Sequence, residues 1–362
     1  MMLDLSIVMS MAFLVEKSIV TVFIFIVVLA VVAYATLGER KIAGYLQDRH
    51  GPNRAGIGKH KLWGILQPIA DGTKFFMKED IIPDKANKIL FVLAPTFTFC
   101  AAGFIMAAIP FGDRITIFGR EVLLQIADIN LGILYILAIG SLGVYGIAMG
   151  GWASNNKYSL MGGLRTVSQM ISYEIVMGLA LVALMIDHGT PALRQIVIQQ
   201  SGPIWHWSVF SHPLGFLLFY ISVFAECSRM PFDLPEAENE LVAGYHTEYS
   251  SMKFGLFQFG EYTHMTLASC FIATLYFGGW TIPWVAVPEN PGLIWGIISF
   301  GVLWIKALFF LFVFMWVRWT LPRFRYDQLL YLGWKKLIPL AIFNIFLTAG
   351  LILLFQKFGI AG

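Results

Sequence analysis

Eight separate stretches of this sequence each stay apolar for about 20 residues, the length that crosses the hydrocarbon core of a bilayer as a helix. They lie at 18–38, 89–110, 129–149, 168–187, 209–227, 263–285, 293–317 and 337–356. Because lipid cannot hydrogen-bond an exposed backbone, such spans fold as helices. We therefore predict an all-α polytopic membrane protein with eight transmembrane helices, forming a single integral membrane domain over residues 1–362.

The basic residues predict how these spans are oriented. Of the 25 Lys and Arg residues, 19 fall in four alternate connections, at 39–88, 150–167, 228–262 and 318–336. Loops rich in Lys and Arg stay on the cytoplasmic side of a membrane. We therefore expect these four large loops to be cytoplasmic and both termini to lie outside.

The first of these loops contains an amphipathic segment. In LWGILQPIADGTKFFMKED, residues 62–80, apolar side chains recur at helical spacing, and Asp71, Lys74 and Lys78 occupy the opposite face. A helix of this kind lies in the plane of the membrane interface. Two interpretations fit this interfacial helix: it is a surface element only, or it forms one wall of a pocket that is reached from the membrane.

Acidic residues are concentrated beside the membrane, between positions 224 and 262. Seven of the chain's 22 acidic residues lie here, against two strong bases, Arg229 and Lys253. The seven are Glu226, Asp233, Glu236, Glu238, Glu240, Glu248 and Glu261. A carboxylate next to hydrocarbon is costly unless it is paired, hydrated or protonated. The stretch therefore predicts proton handling or binding of a polar ligand head, with a solvated acidic loop as the alternative for Glu238 and Glu248.

Two predictions concern the partners of these charges. Glu226 and Arg229 stand at i, i+3 and are predicted to pair locally. Arg318, Arg323 and Arg325 in the last basic loop are the predicted counter-charges of the acidic loop. Retention of positive charge on the cytoplasmic side explains the same three residues equally well.

Two further ionisable residues fall within predicted spans. Glu174 lies a turn or two into the fourth span without a basic neighbour on its helix, and Lys306 lies midway in the seventh. Ionisable groups at such depth face the bundle interior and pair with other polar groups. We expect a carboxylate partner for Lys306. For Glu174, the alternative to a role in proton transfer is a buried glutamate that only fixes helix packing.

The cysteines do not form a pattern for a resident redox group. Cys100, Cys227 and Cys270 are far apart, whereas iron–sulfur and zinc sites use about four ligands at short spacings. No GxGxxG fingerprint follows a strand pattern either. We therefore predict no metal site, no cofactor bound by this chain alone, no catalytic residue and no nucleic-acid partner.

Five stretches of the predicted cytoplasmic side resemble one protein family. They are GERKIAGYLQDRHGPNRAG at 38–56, QPIADGTKFFMKED at 67–80, WASNNKYSLMGGLRTVSQMISYE at 152–174, ECSRMPFDLPEAENELVAGYHTEYS at 226–250 and RWTLPRFRYDQLL at 318–330. In this order they resemble the membrane-embedded H subunit of the proton-translocating NADH:quinone oxidoreductase, respiratory complex I, which is called subunit 1 in mitochondria. Membrane anchors of energy-converting hydrogenases share weaker versions of the pattern, and the intact RYDQ and PFDLPEAENEL blocks favour complex I.

The resemblance implies a protein of a bacterial inner membrane that takes quinone as substrate, while FMN and iron–sulfur clusters belong to partner subunits. In the family this subunit joins the hydrophilic subunits to the antiporter-like membrane subunits and lines a chamber that admits the quinone tail from the lipid. The residues that match this chamber and its approach are Glu39, Arg40, Arg49, Asp71, Lys74, Asp233, Glu236, Glu238, Glu240, Glu248, Arg318, Arg323 and Arg325.

The family's inward chain of buried carboxylates corresponds to Glu174, Glu226 and Glu261, and we place Lys306 in the same predicted proton relay. The alternatives are a structural anchor that only docks the hydrophilic arm, the equivalent subunit of a membrane-bound hydrogenase, or an independent ion channel. Large cytoplasmic loops imply docked partners and make the channel the weaker alternative. Ubiquinone and menaquinone fit the motifs equally well, as do protons and sodium ions.

Overall fold

A computed structural model of the chain describes residues 2–56, 62–117, 120–234, 238–288 and 291–358. Helices dominate these residues. In chain order they are α1 (Met2–Leu46), α2 (Gln67–Met77), α3 (Lys88–Ile105), α4 (Gly132–Ala153), α5 (Lys157–His188), α6 (Leu193–Gln199), α7 (Ser208–Ser211), α8 (Pro213–Glu226), α9 (Glu238–Leu241), α10 (Ser251–Tyr276), α11 (Leu293–Thr320), α12 (Tyr326–Tyr331) and α13 (Ile338–Lys357). Single 3₁₀ turns lie at Ile204–His206 and Gly244–His246, and a π-helical turn at Leu332–Leu337 joins α12 to α13.

Each predicted span overlaps a helix, and the all-α polytopic membrane fold is confirmed. Within the described residues, six helical segments are long and apolar enough to cross a membrane. They lie in α1, α3, α4, α5, α11 and α12–α13. The other two of the eight predicted spans differ from the prediction. The predicted span 209–227 becomes α8, which has only 14 residues. The predicted span 263–285 becomes α10, which begins earlier and carries polar residues in its first half.

The predicted cytoplasmic loops are shorter than expected, because the helices continue beyond the apolar runs. Of the loop 150–167, only residues 154–156 are outside helices. Asn155 adopts a left-handed backbone there, with φ 49°, and the Asn156 side chain caps α5 by accepting a hydrogen bond from Tyr158 N. Helix α10 likewise absorbs the last twelve residues of the loop 228–262. The membrane side of these loops and of the termini stays a prediction.

A short β-hairpin interrupts the helical pattern between α3 and α4. Strands β1 (Arg114–Ile117) and β2 (Arg120–Leu123) pair in antiparallel register, with Arg114 opposite Leu123. Ile115 of this hairpin packs against Gly296 of α11. The sequence analysis missed the hairpin because hydropathy over windows of about 20 residues does not resolve a four-residue strand.

The predicted amphipathic helix is confirmed as α2, which lies against α1 and α10 without any fully buried residue. Phe75 packs against Gly255 and Phe254 of α10. Asp71 accepts a hydrogen bond from Arg40 of α1 at 2.8 Å. Because no residue of α2 is fully buried, a cavity remains between α2 and helices α1 and α10.

Helices α3 and α4 pack very closely at Gly146. An ideal Cβ at this position of α4 would lie 2.1 Å from Thr98 Oγ1 and 2.9 Å from Thr98 N, both on α3. Small residues permit this approach in membrane helices, where packing rather than the hydrophobic effect drives association. Gly146 therefore sets the position of Thr98, which lines a cavity described below.

We predict that Gly146→Ala destabilises the protein by about 1–3 kcal/mol, because the added methyl group meets backbone and side-chain atoms of α3. The matched control is Gly103→Ala on α3, where a Cβ would meet no atom within 4 Å. Thermal unfolding of the purified protein in detergent measures both. Equal unfolding temperatures for the two variants would contradict the prediction, because they would show that α3 and α4 accommodate a methyl group at position 146 without loss of stability.

Candidate functional site

A buried arginine, Arg229, lies at the centre of the site. Its Nη1 is 3.6 Å from Glu39 Oε2 on α1, and its Nη2 is 3.7 Å from Glu261 Oε2 on α10. The Tyr262 ring centroid lies 4.5 Å from the guanidinium carbon. Glu39 also accepts hydrogen bonds from Tyr262 Oη, at 2.6 Å, and from Arg318 Nη1 on α11. We call these five residues the Arg229 network; Arg229 and Glu39 are each only 4% exposed.

The end of α8 explains why Arg229 points into this network. The helix ends at Glu226, and Ser228 adopts a left-handed backbone with φ 49°. Pairing of Glu226 with Arg229 at i, i+3 requires a continuing helix, which is not formed here. Glu226 instead faces His264 of α10, with 3.5 Å between Oε1 and Nε2, while Arg229 turns towards α1 and α10.

A second buried ion pair joins the acidic loop to the last basic loop, as predicted. Arg323 Nη2 donates to Asp233 Oδ2 at 2.9 Å, and Asp233 is buried. Burial raises the pKa of Asp233 to about 6, with the negative charge of Glu261 acting in the same direction and Arg323 opposing it. Asp233 therefore changes its charge near neutral pH.

A large cavity lies between α1, α2 and α10, and we call it the α2 cavity. Its volume is about 440 Å³. Apolar side chains such as Phe75 and Phe259 form part of its wall, and Arg40, Asp71 and Lys74 contribute a charged edge. Tyr262 lies at its inner side. The cavity thus offers an apolar surface that leads to polar groups of the Arg229 network.

A smaller cavity, the Glu226 cavity, lies on the other side of α10 among α3, α4 and α8. It has a volume of about 40 Å³. Glu226, Glu261, His264, Tyr245 and Thr98 all line it. Tyr245 Oη donates to Glu261 Oε1 at 2.9 Å. Titratable groups from three parts of the chain therefore share one enclosed space.

The two cavities meet at consecutive residues of α10. Tyr262 lines the α2 cavity, and Glu261 lines the Glu226 cavity. Both side chains contact Arg229, which lies between them. Glu174, near the middle of α5 rather than close to its start, lies next to Ser141 of α4 and close enough to Glu226 for their charges to interact. The predicted carboxylates therefore form a series that leads inward from the network.

The other predicted chamber residues lie apart from this centre. Arg49 donates to Gln47 at 2.8 Å, and Arg325 binds its neighbour Asp327 at 2.6 Å. These two are satisfied by local partners. Within the described residues, Arg325 binds Asp327, whereas Arg323 binds Asp233 of the acidic loop.

Two acidic-loop residues hold the start of α5. Glu240 accepts a hydrogen bond from Arg165 at 2.6 Å, and Glu248 accepts one from Asn156 at 2.5 Å. Glu238 begins α9, and Glu236 lies outside the described residues.

The expectation of a carboxylate partner for Lys306 is wrong. Its Nζ donates three hydrogen bonds, each 2.8 Å long, to the carbonyl oxygens of Phe277, Gly279 and Thr281. The ammonium also lies 4.8 Å from the Trp207 ring centroid. These carbonyls follow the end of α10, where helix geometry leaves acceptors without intrahelical donors and a negative dipole end. Membership of Lys306 in a proton relay stays a prediction that this arrangement does not favour.

Sequence reasoning missed three participants: His264, Tyr262 and Arg165. His264 stands three residues after Glu261, so the two share one face of α10. That spacing was a usable signal, but it lay at the start of a segment treated as an apolar span. Arg165 was hidden because the range 150–167 was expected to be loop rather than helix.

These features define an integral membrane protein in which a buried ion-pair network separates two internal cavities. The family described as NADH dehydrogenase matches residues 19–349. An NADH-quinone oxidoreductase H subunit of Cytophaga hutchinsonii is 52% identical over 346 residues, which cover 95% of this chain and 98% of the relative. The H subunit of Flavobacterium psychrophilum is 52% identical over 96% of this chain and 100% of its own length.

Similarity extends to more distant bacteria. An NADH-quinone oxidoreductase H subunit of Geobacter metallireducens is 49% identical over 91% of this chain and 94% of its own length. The chain belongs to the NADH dehydrogenase family, as the five sequence blocks had predicted.

We predict that Asp233 takes up a proton with a midpoint at about pH 6. Because burial raises the pKa above about 3.9, the usual value, the folded protein binds more protons than the unfolded chain between these two values. This group therefore makes the folded state less stable as pH rises through that window. The carboxylic-acid carbonyl band in infrared spectra measures the titration. Asp233→Asn removes the part of this band that titrates at about pH 6, whereas Asp84→Asn, at an exposed position, leaves it in place. A band unaltered by Asp233→Asn would contradict the assignment.

We predict that Lys306→Met lowers the stability by about 1–3 kcal/mol for each buried carbonyl that is left without a donor. Lys335→Met, at an exposed position, is the matched control and leaves the stability unchanged. Thermal unfolding in detergent compares the two. Loss of proton translocation in a Lys306→Met complex of normal stability would instead support a relay role.

Proposed function

We propose that this chain is a membrane subunit of a bacterial proton-translocating NADH:quinone oxidoreductase, that it lines the quinone chamber, and that it couples quinone reduction to proton translocation. Relatives named as the H subunit of this enzyme, all from bacteria, match the chain over nearly its whole length. Other subunits of the complex are the partners, and the bacterial inner membrane is the location. FMN and iron–sulfur clusters in those partners supply the electrons.

The α2 cavity supports the quinone part of the proposal. A quinone has an apolar tail and a head whose two carbonyl oxygens accept hydrogen bonds. The cavity presents Phe75, Phe254 and Phe259 to an apolar chain and Arg40 and Lys74 as donors. Ligand sites usually combine an apolar wall with a few placed polar groups in this way. Its volume of about 440 Å³ accommodates a quinone head and the first part of its tail.

The shared wall of the two cavities carries the coupling part of the proposal. Reduction of a quinone adds negative charge and requires protons. Negative charge beside Tyr262 competes with Glu39 and Glu261 for Arg229, which contacts all three residues. Weakening the contact between Arg229 and Glu261 favours protonation of Glu261 on the opposite side of α10. A change of charge in the α2 cavity thus leads to a change of protonation in the Glu226 cavity.

The carboxylate series supports the onward direction of transfer. Glu261 and Glu226 line one cavity, and Glu226 interacts with Glu174 on α5. Protonation therefore passes from Glu261 to Glu226 and then to Glu174, towards the antiporter-like partner subunits. Glu240 and Glu248, which bind Arg165 and Asn156, hold the acidic loop in place.

We predict that Ala33→Phe, which adds a ring inside the α2 cavity, raises the KM for a long-tailed quinone several-fold. The matched control is Ala30→Phe, one turn away on α1, which lines a separate groove against α11. Steady-state NADH:quinone reductase assays on assembled complex in membranes measure the effect. Equal KM values for both variants would contradict passage of the tail through this cavity. Labelling of partner subunits alone by a photoreactive quinone analogue would contradict it as well.

We predict that Glu226→Gln and Glu174→Gln each abolish proton translocation in complexes that assemble normally. Glutamine retains the shape of the side chain and hydrogen bonding but does not carry a proton. Dye-detected acidification of inverted membrane vesicles measures translocation, and NADH oxidation by an artificial acceptor measures assembly. Normal proton translocation and quinone reduction in both variants would refute the relay. Loss of assembly would favour the structural anchor.

A further inference from the structure

A histidine bridges two acidic groups of the Glu226 cavity, and none of the sequence motifs includes it. His264 Nε2 lies 3.5 Å from Glu226 Oε1, and its Nδ1 lies 3.4 Å from Cys227 Sγ. The two ring nitrogens therefore have different neighbours. Nε2 faces the acceptor carboxylate, and the thiol orients Nδ1.

The cavity connects the same histidine to Glu261. Glu261 and His264 lie on one face of α10, three residues apart, and both line the enclosed space of about 40 Å³. A water molecule needs roughly 10–15 Å³ of such space together with polar partners. Tyr245 Oη, Glu226 and Glu261 are polar partners at the cavity wall. Water in this space would link the Glu261 carboxyl to the imidazole by hydrogen bonds.

We propose that His264 is the proton-transfer residue between Glu261 and Glu226, an inference that rests on the proposed function. The imidazolium of His264 releases the proton on Nε2 to the Glu226 carboxylate, while Nδ1 stays against the Cys227 thiol. Protonated Glu261 then returns a proton to Nε2 through cavity water. Glu261 ends as a carboxylate, Glu226 as a carboxylic acid and the ring as it began; no electrons move.

Imidazole suits this position for a chemical reason. As a cation it carries a proton on each nitrogen, and it releases one of them reversibly to a neighbouring acceptor. The titratable or charged groups around it are Glu226 and Cys227 at the end of α8, Glu261 on its own helix and Tyr245. Arg229 faces Glu261 from the far side. Each of these groups either exchanges the proton or fixes its route.

The test is His264→Gln in the assembled complex, with His206→Gln as the matched control. His206 is exposed in the 3₁₀ turn Ile204–His206 and lines neither cavity. Glutamine retains hydrogen bonding but does not transfer a proton. We expect His264→Gln to slow proton translocation by about 10²-fold, the usual contribution of a proton-transferring side chain. NADH oxidation by an artificial acceptor, which reports assembly, stays normal in both variants.

A second variant, His264→Glu, separates proton transfer from a structural role. Glutamate restores a titratable group, so part of the translocation rate returns, with a pH profile different from that of the unaltered protein. A His264→Glu complex that assembles normally but is no faster than His264→Gln would overturn the proposal. Normal translocation by His264→Gln would overturn it too.

Parallel assays of Glu226→Gln distinguish failure of the carboxylate relay from failure of the role proposed for His264. If Glu226→Gln stops translocation and His264→Gln does not, the carboxylate relay stands and His264 is not its link. If both variants translocate protons normally, the relay itself fails.

Discussion

The burial of Arg229 beside Glu39 and Glu261 is the interaction on which the rest of the site depends. An isolated charge in this environment costs several kcal/mol, and only close opposite charges and hydrogen bonds offset that cost. The partners come from α1, α10 and α11, so the network forms only when these helices are assembled. Together with Asp233 and Arg323, the described residues place three carboxylates and three guanidinium groups in contact here. Removing one of them changes the charge around the others.

This balance makes the site sensitive to new charge. A negative group added beside Tyr262 would compete with Glu39 and Glu261 for the Arg229 guanidinium. Arg229 lies 3.6 and 3.7 Å from these two carboxylates, whereas Tyr262 and Arg318 hold Glu39 at hydrogen-bond distance. A change in the position of Arg229 would therefore alter the surroundings of both Glu39 and Glu261.

The sequence predicted the helices and the costly carboxylates, because both depend on local composition. The glutamates of the proposed relay, Glu174, Glu226 and Glu261, stand out in apolar surroundings, and the ion pair between Asp233 and Arg323 followed from loop composition. Hydrogen-bond partners that depend on where a helix ends could not be predicted from local composition. Lys306 bonds to carbonyls that exist as free acceptors only because α10 stops at Tyr276. His264 shares a helix face with Glu261 in the sequence, but its contact with Glu226 depends on where α8 ends.

The three hydrogen bonds of Lys306 have a mechanical consequence for α10. They fix the chain directly after the helix to α11, whereas Glu261 and Tyr262 lie about 15 residues away, towards the other end. At about 1.5 Å per residue, this separation is roughly 20 Å. A displacement of α10 at the cavity wall would therefore be largest near Glu261 and Tyr262 and smallest beside Lys306.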